Sequence, residues 1–139
     1  MSLFDQFKTD QLRETKGILL EYGANADGTI IGIRIARAGG ANKRFEKRME
    51  GETKPIRRQI QNETIENAAV LKMMHKVWAE TVVLGWENVQ EEDGKVIPFS
   101  VSACIDLFER LPDLFLDIRE QSQRMALFRV EVLEGAAKN

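Results

Sequence analysis

Four stretches of this sequence have residue types that chemistry uses. The first is the lone histidine, His75, with Lys72 and Lys76 beside it. A general base or metal ligand needs a second group to act with. With no second histidine and the one cysteine far off in sequence, His75 reads as a partly exposed helix residue. That cysteine, Cys104, excludes an internal disulfide framework and a thiolate metal cluster within one chain. Its place at helical spacing with Val101, Ile105 and Phe108 makes it a buried small apolar residue. The third is Gly39-Gly40 followed by Lys43 and Arg44, which invites a phosphate-loop reading. Both the Lys-Ser/Thr ending of a P-loop and the GxGxxG spacing are missing. The fourth is Gln90-Glu-Glu-Asp-Gly94. Were Gly94 the sixth position of a calcium loop, the first would be Val89 and the twelfth Ser100, where carboxylates are required. No catalytic residue, cofactor or metal is expected.

Charge is unevenly distributed. Residues 37–58 hold eight basic side chains (Arg37, Lys43, Arg44, Lys47, Arg48, Lys54, Arg57 and Arg58) against three acidic ones. From residue 59 onward the balance is eight basic to fourteen acidic. Such a basic segment can bind nucleic acid or an acidic protein, or pair with the acidic half of its own fold.

The elements that position these groups are organised around 62–86, a long proline-free stretch. Asn62 and Thr64 are good helix caps, and Glu63 and Glu66 favour the positive end of a helix dipole. Leu71, Met74, Trp78 and Val82 form one apolar row, and Val70, Val77, Thr81 and Leu84 a second. A helix apolar on several sides belongs at the centre, with Trp78 buried and Gly85 as its stop.

Before it, Leu3, Phe4 and Phe7 form an apolar cluster expected to dock on the core. Ile18, Leu20 and Tyr22 alternate as a strand, as do Ile31, Ile33 and Ile35, and Asn25-Ala-Asp-Gly28 supplies the turn of an antiparallel hairpin. A hairpin alone is marginal, so its isoleucine face must lie on helices. Asn42 can cap a helix bearing Phe45 and Met49 and ending at Gly51. Pro55 begins another, with Ile56 and Ile60 inward. After 86, Asp93-Gly94 turns between two short extended segments. Ser100 caps the Cys104 helix. Pro112 opens a last amphipathic helix through Leu114, Ile118, Met125, Phe128 and Val132, and residues 135–139 should fray.

With 139 residues and a net charge of −2, the expectation is one soluble domain spanning 1–139. Its fold class is α+β: an N-terminal β-hairpin followed by a mainly helical body of about four or five helices. No basic-then-apolar leader opens the chain, and no apolar run approaches the ~20 residues of a membrane span.

Phe7-Lys-Thr-Asp10, ARAGGANKRFEKRME (36–50), VWAETVVLGWENV (77–89), DGKVIPFS (93–100), LPDLF (111–115) and the closing AAKN follow one another in a pattern that resembles phage tail assembly chaperones over nearly the whole chain. The resemblance implies a non-enzymatic partner of the tape measure protein, which sets tail length. The chaperone keeps that long helical client soluble in the host cytoplasm until tail-tube subunits polymerise around it, and it is absent from the mature virion. In many such systems a frameshifted longer form recruits tail-tube subunits. Ending at Asn139, this chain is expected to be the short form, touching tube subunits only indirectly.

The partner-binding residues implied by the ANKRF motif and its flanks are Arg37, Asn42, Lys43, Arg44, Phe45, Lys47, Arg48 and Met49. A helical client would call for apolar surface and orienting charge. Two rivals stand beside this reading. A small nucleic-acid-binding protein using 37–58 is opposed by the acidic overall balance and by the lack of aromatic residues interleaved with the basic ones. An enzyme would need a nucleophile–base pair or a ligand set. Self-association is left open.

Overall fold

The alternation in 18–35 becomes the hairpin it predicts. In the computed structural model, which describes residues 2–130, β1 (Ile18–Ala24) and β2 (Ile30–Ile35) pair antiparallel with Leu20 opposite Ile33. Ile33 and Ile35 are buried while Arg34 points outward, so the isoleucine face is the core face. A third strand, β3 (Val83–Glu87), pairs antiparallel with β2 and completes the order β1-β2-β3.

The helical core packs on the isoleucine face of this sheet. Two short helices, α1 (Leu3–Phe7) and α2 (Gln11–Lys16), precede the hairpin. Five follow: α3 (Lys43–Thr53), α4 (Arg57–Gln61), α5 (Asn67–Thr81), α6 (Val101–Arg110) and α7 (Pro112–Ser122). The chain is α+β, with the hairpin and helical body expected. The third strand and the two leading helices add to that expectation. Among the described residues no helix is long and apolar enough to cross a membrane.

α5 is the central element, but shorter than 62–84. Its N-terminus is delayed because Glu63 adopts a left-handed φ of 55°, closing the turn after α4, and Glu66 occupies the cap position instead of Asn62 or Thr64. Its C-terminus comes early, at Thr81. Gly85 is no stop, because it sits inside β3 opposite Arg34. Val82 and Val83 are β-branched, and the ladder to β2 offers their neighbours backbone partners that one more helical turn cannot match. The aromatic core forms where α5 meets α6 and α7: Trp78, Phe108, Phe115 and Phe128 are at most 2% exposed, and Cys104 is fully buried as expected. Trp78 Nε1 donates to Ser122 Oγ at 3.0 Å.

Several local expectations are corrected. Leu3, Phe4 and Phe7 do not dock on the core; they are 71%, 79% and 60% exposed. α1 is only five residues, held by a Ser2–Asp5 capping box, and buries none of its side chains. α3 runs through Gly51 to Thr53, and Ile60 faces solvent. The last helix stops at Ser122 and yields to a 3-10 turn, Met125–Phe128; Val132 and the tail at 135–139 lie outside the described residues. Asp93-Gly94 turns as expected, with Gly94 at φ 91° and an isolated bridge between Gln90 and Val96.

Candidate functional site

The loop leaving β2 has the double glycine and the first of the basic residues. Its backbone is fixed from three directions: Ala36 N–H donates to Val82 O, Arg37 N–H to Glu14 O, and Ala38 N–H to Ser122 O, all within 2.9 Å. An anion does lie in this loop, and it is the protein's own. The Glu14 carboxylate, 2% exposed, accepts from Arg37 Nη1 at 2.5 Å and from Ala41 N–H at 3.1 Å. Gly40 has φ 55°, and a Cβ there would overlap that carboxylate. The double glycine thus lets the backbone close on Glu14, the same property that makes glycine useful around phosphates. Burial pushes the Glu14 carboxyl up, but hydrogen bonds from Arg37, Ala41 and Thr9 outweigh it and hold it below the usual carboxylate range.

Asn42, 5% exposed, ties this loop to the end of α5. Its Nδ2 donates to Arg37 O and to Thr81 O, both at 2.9 Å, while its Oδ1 caps α3 by accepting from Phe45 N–H. The helix it starts then turns two residues inward. Phe45 meets Trp78 edge-on with ring centroids 4.9 Å apart, and Met49 packs against the same core. Two arginines are also engaged. Arg44 donates to Glu80 O at 2.9 Å. Arg48 makes a bidentate pair with the Glu80 carboxylate at 2.6 and 3.0 Å and adds Glu52 at 3.1 Å.

The eight residues implied by the resemblance therefore divide. Arg37 and Asn42 hold the loop, Phe45 and Met49 face the core, and Arg44 and Arg48 bind the end of α5. Lys43 and Lys47 remain outward. Lys43 reaches Glu46 at 3.2 Å while 79% exposed, and Lys47 has no hydrogen bond or ion pair among the described residues. Arg44, Lys47 and Arg48 border a shallow groove of about 370 Å³ with Glu80 and Thr81. Further along, Lys54, Arg57 and Arg58 are exposed as well.

The sequence reading missed the apolar surface. Leu3, Phe4 and Phe7 border an open groove of about 620 Å³ with Lys8. This segment is anchored from behind: Asp10 N–H donates to Phe128 O at 2.8 Å, Val130 N–H to Lys8 O at 3.2 Å, and Thr9 bridges Arg129. The helix is fixed at its base and turns its large side chains to solvent. An early signal was available in Ser2 and Asp5, whose capping box starts a helix too short to bury two faces.

His75 is buried, not partly exposed: it is 4% accessible and lies between the rings of Phe108 and Phe115, with centroids at 5.6 and 4.5 Å. Neither ring nitrogen has a hydrogen-bond partner among the described residues. Desolvation lowers its pKa, with Glu109 pulling weakly the other way, so the imidazole is neutral in the fold. The Cys104 thiol is pushed up to about 12 by burial, which leaves it protonated and unreactive.

A protein-family model described as "YdaY prophage protein" matches residues 40–139, from the glycine that embraces Glu14 onward. No curated protein and no solved structure matches the chain.

Proposed function

The chain belongs to the YdaY prophage protein family, and we propose that it is a non-enzymatic tail assembly chaperone, binding the tape measure protein and keeping it soluble until tail-tube subunits polymerise around it. The observation that supports this reading best is the outward apolar cluster of Leu3, Phe4 and Phe7 on a firmly anchored segment. Clustered large apolar side chains in water mark a protein contact. A helical client exposes apolar stripes of the same kind, and mutual coverage removes both from water. Lys43 and Lys47 would then orient an acidic stretch of the client, while the engaged arginines keep their structural posts. In this proposal the protein acts in the host cytoplasm, leaves before the virion is complete, and meets tail-tube subunits only through a longer form.

The test is co-expression with the tape measure protein of the same prophage. The client should be insoluble alone and soluble as a complex with more than one chaperone per client chain. Phe4→Ser with Phe7→Ser should return it to the pellet. Lys43→Glu with Lys47→Glu should weaken the complex in low salt. A client equally insoluble with and without this protein ends the proposal.

The exposed Lys47, Lys54, Arg57 and Arg58 favour one second reading, binding to nucleic acid. Phosphate contacts make such binding steeply salt-dependent. The chaperone reading expects only weak binding that vanishes near physiological salt, whereas tight binding surviving ~0.2 M salt would favour the second.

A further inference from the structure

Among the described residues β1 is the outer strand of the sheet and is hydrogen-bonded on one side only, to β2. In an antiparallel pair every second residue turns its N–H and C=O away from its partner. Among the described residues no backbone bond reaches Ile18–Ala24 from that open side. Such edges are normally guarded by lysine, by proline or by a covering element. The sequence of β1, ILLEYGA, has neither guard residue, and its one irregularity, between Glu21 and Ala24, lies beyond the regularly paired stretch Ile18–Glu21. Its flank is only partly covered: Ile18, Leu20 and Tyr22 pack against the core, with Tyr22 Oη donating to Asp117 at 2.6 Å, but stay half-buried, whereas Ile33 and Ile35 of the neighbouring strand are 2% and 0% exposed. A cleft of about 520 Å³ runs beside residues 17–20, with Ala126 and Leu127 on its far wall.

We propose that this edge pairs with β1 of a second copy of the chain. The strand is complementary to itself in one register. A twofold axis makes identical strands antiparallel and their contact isologous. With Leu20 opposite Leu20 of the second copy, Ile18 faces Tyr22 on the core side and Leu19 faces Glu21 on the outer side. The shifted register that sets Glu21 against its own copy would place two carboxylates together, which is unfavourable for directly opposed residues. The three-stranded sheet then continues into six strands. The helices of both copies lie on the same side, so the half-buried flank of Ile18, Leu20 and Tyr22 becomes interior. The proposal is independent of which client the protein serves.

Sedimentation equilibrium on the full chain, from about 10 to 500 µM, reads the association directly. A monomer–dimer equilibrium is expected in that range. Leu19→Glu sets a carboxylate against Glu21 twice per dimer and should weaken association about tenfold, whereas Leu19→Lys makes two opposite-charge pairs and should leave it intact or tighter. Near-ultraviolet circular dichroism checks that both variants are folded. Should Leu19→Glu fail that check, amide exchange on the unmodified chain decides, because protection of the Ile18–Ala24 amides must rise with concentration. A monomer at every concentration, as expected if the edge takes an extended segment of another protein, overturns the proposal. So does a dimer that responds alike to both charges, or β1 protection that ignores concentration.

Discussion

Arg37 and Glu14 meet at 2.5 Å across 23 residues of sequence, the carboxylate 2% exposed and the guanidinium side chain 22% exposed. The pair joins α2 to the loop after β2, and Gly40 is the residue that lets the backbone pass close enough. The basic segment is therefore partly committed to the interior before any partner is considered.

Breaking this pair should be costly. Removing one member of a buried ion pair typically costs about 3–5 kcal/mol because the other charge is stranded. Arg37 retains some solvent, so Glu14→Ala is expected near ~3 kcal/mol in urea denaturation. Glu14 has a depressed pKa in the fold, so its contribution is present above the unfolded value near 4.5 and is lost as pH falls below it. The variant should accordingly be less acid-sensitive below pH ~4.5 than the original protein.

His75 predicts the opposite sign for a substitution. A buried imidazole with two unpartnered nitrogens adds desolvation cost without hydrogen bonds, so His75→Leu should stabilise by about 1 kcal/mol. The folded state keeps His75 neutral, with a pKa below 6.5. As pH falls below 6.5 the unfolded chain takes up a proton that the folded chain resists, and stability drops. Glu109 is the opposing charge, and Lys72 lines the same pocket. Denaturation midpoints at pH 7.5 and 5.5 should differ less in His75→Leu than in the unsubstituted protein. An equal difference in both would show that another group is responsible.

Trp78 is the test of the core. Truncation to alanine should cost about 3–5 kcal/mol, the range for large aromatic side chains. Ser122→Ala removes the acceptor of the indole N–H, leaving a buried donor unpaired, together with the hydroxyl's own bond to Arg119 O, and should cost about 1–3 kcal/mol. A melting temperature for Trp78→Ala within a degree or two of the original would refute the placement of α5.

The cations of α3 should separate by role. Lys43→Glu with Lys47→Glu should change stability by no more than about 0.5 kcal/mol, because the positions are on the surface and the one ion pair lost, Lys43 to Glu46, is solvent-exposed. Arg48→Ala removes a bidentate contact to Glu80 at roughly 30% exposure and should cost about 1 kcal/mol. Thermal melts of the two variants side by side measure the difference.

Where pattern and backbone agree, the fold was legible. Ile31, Ile33 and Ile35 alternate strictly around an Asn-Ala-Asp-Gly turn, and Asn42, Ser100 and Pro112 each start a helix where their chemistry allows. The run Val82–Gly85 reads as the end of the helix because an apolar stretch suits helix and strand alike; only its pairing with β2 decides. His75 sits between two lysines in sequence, and nothing local shows that Phe108 and Phe115 will close over it. The exposed cluster in α1 was misplaced for a related reason. Apolar residues near a terminus read as core unless the lengths and partners of their neighbours are known. For the basic segment, charge was visible at once, but which charges are spent inside depended on Glu14 and Glu80, 23 and 32 residues from their arginines.

The backbone pairing of residues 8–10 with 128–130 also sets a clock on biosynthesis. Residues 8–10 have their anchor far downstream in the chain, so they emerge from the ribosome long before their partner exists. At about 5–20 residues per second, that interval is on the order of 10 s. Throughout it Leu3, Phe4 and Phe7 are presented on an untethered nascent chain, and the same side chains reach their fixed posture only after residues 128–130 have cleared the exit tunnel. The surface proposed for the client therefore waits on residues 128–130 before it is set in place.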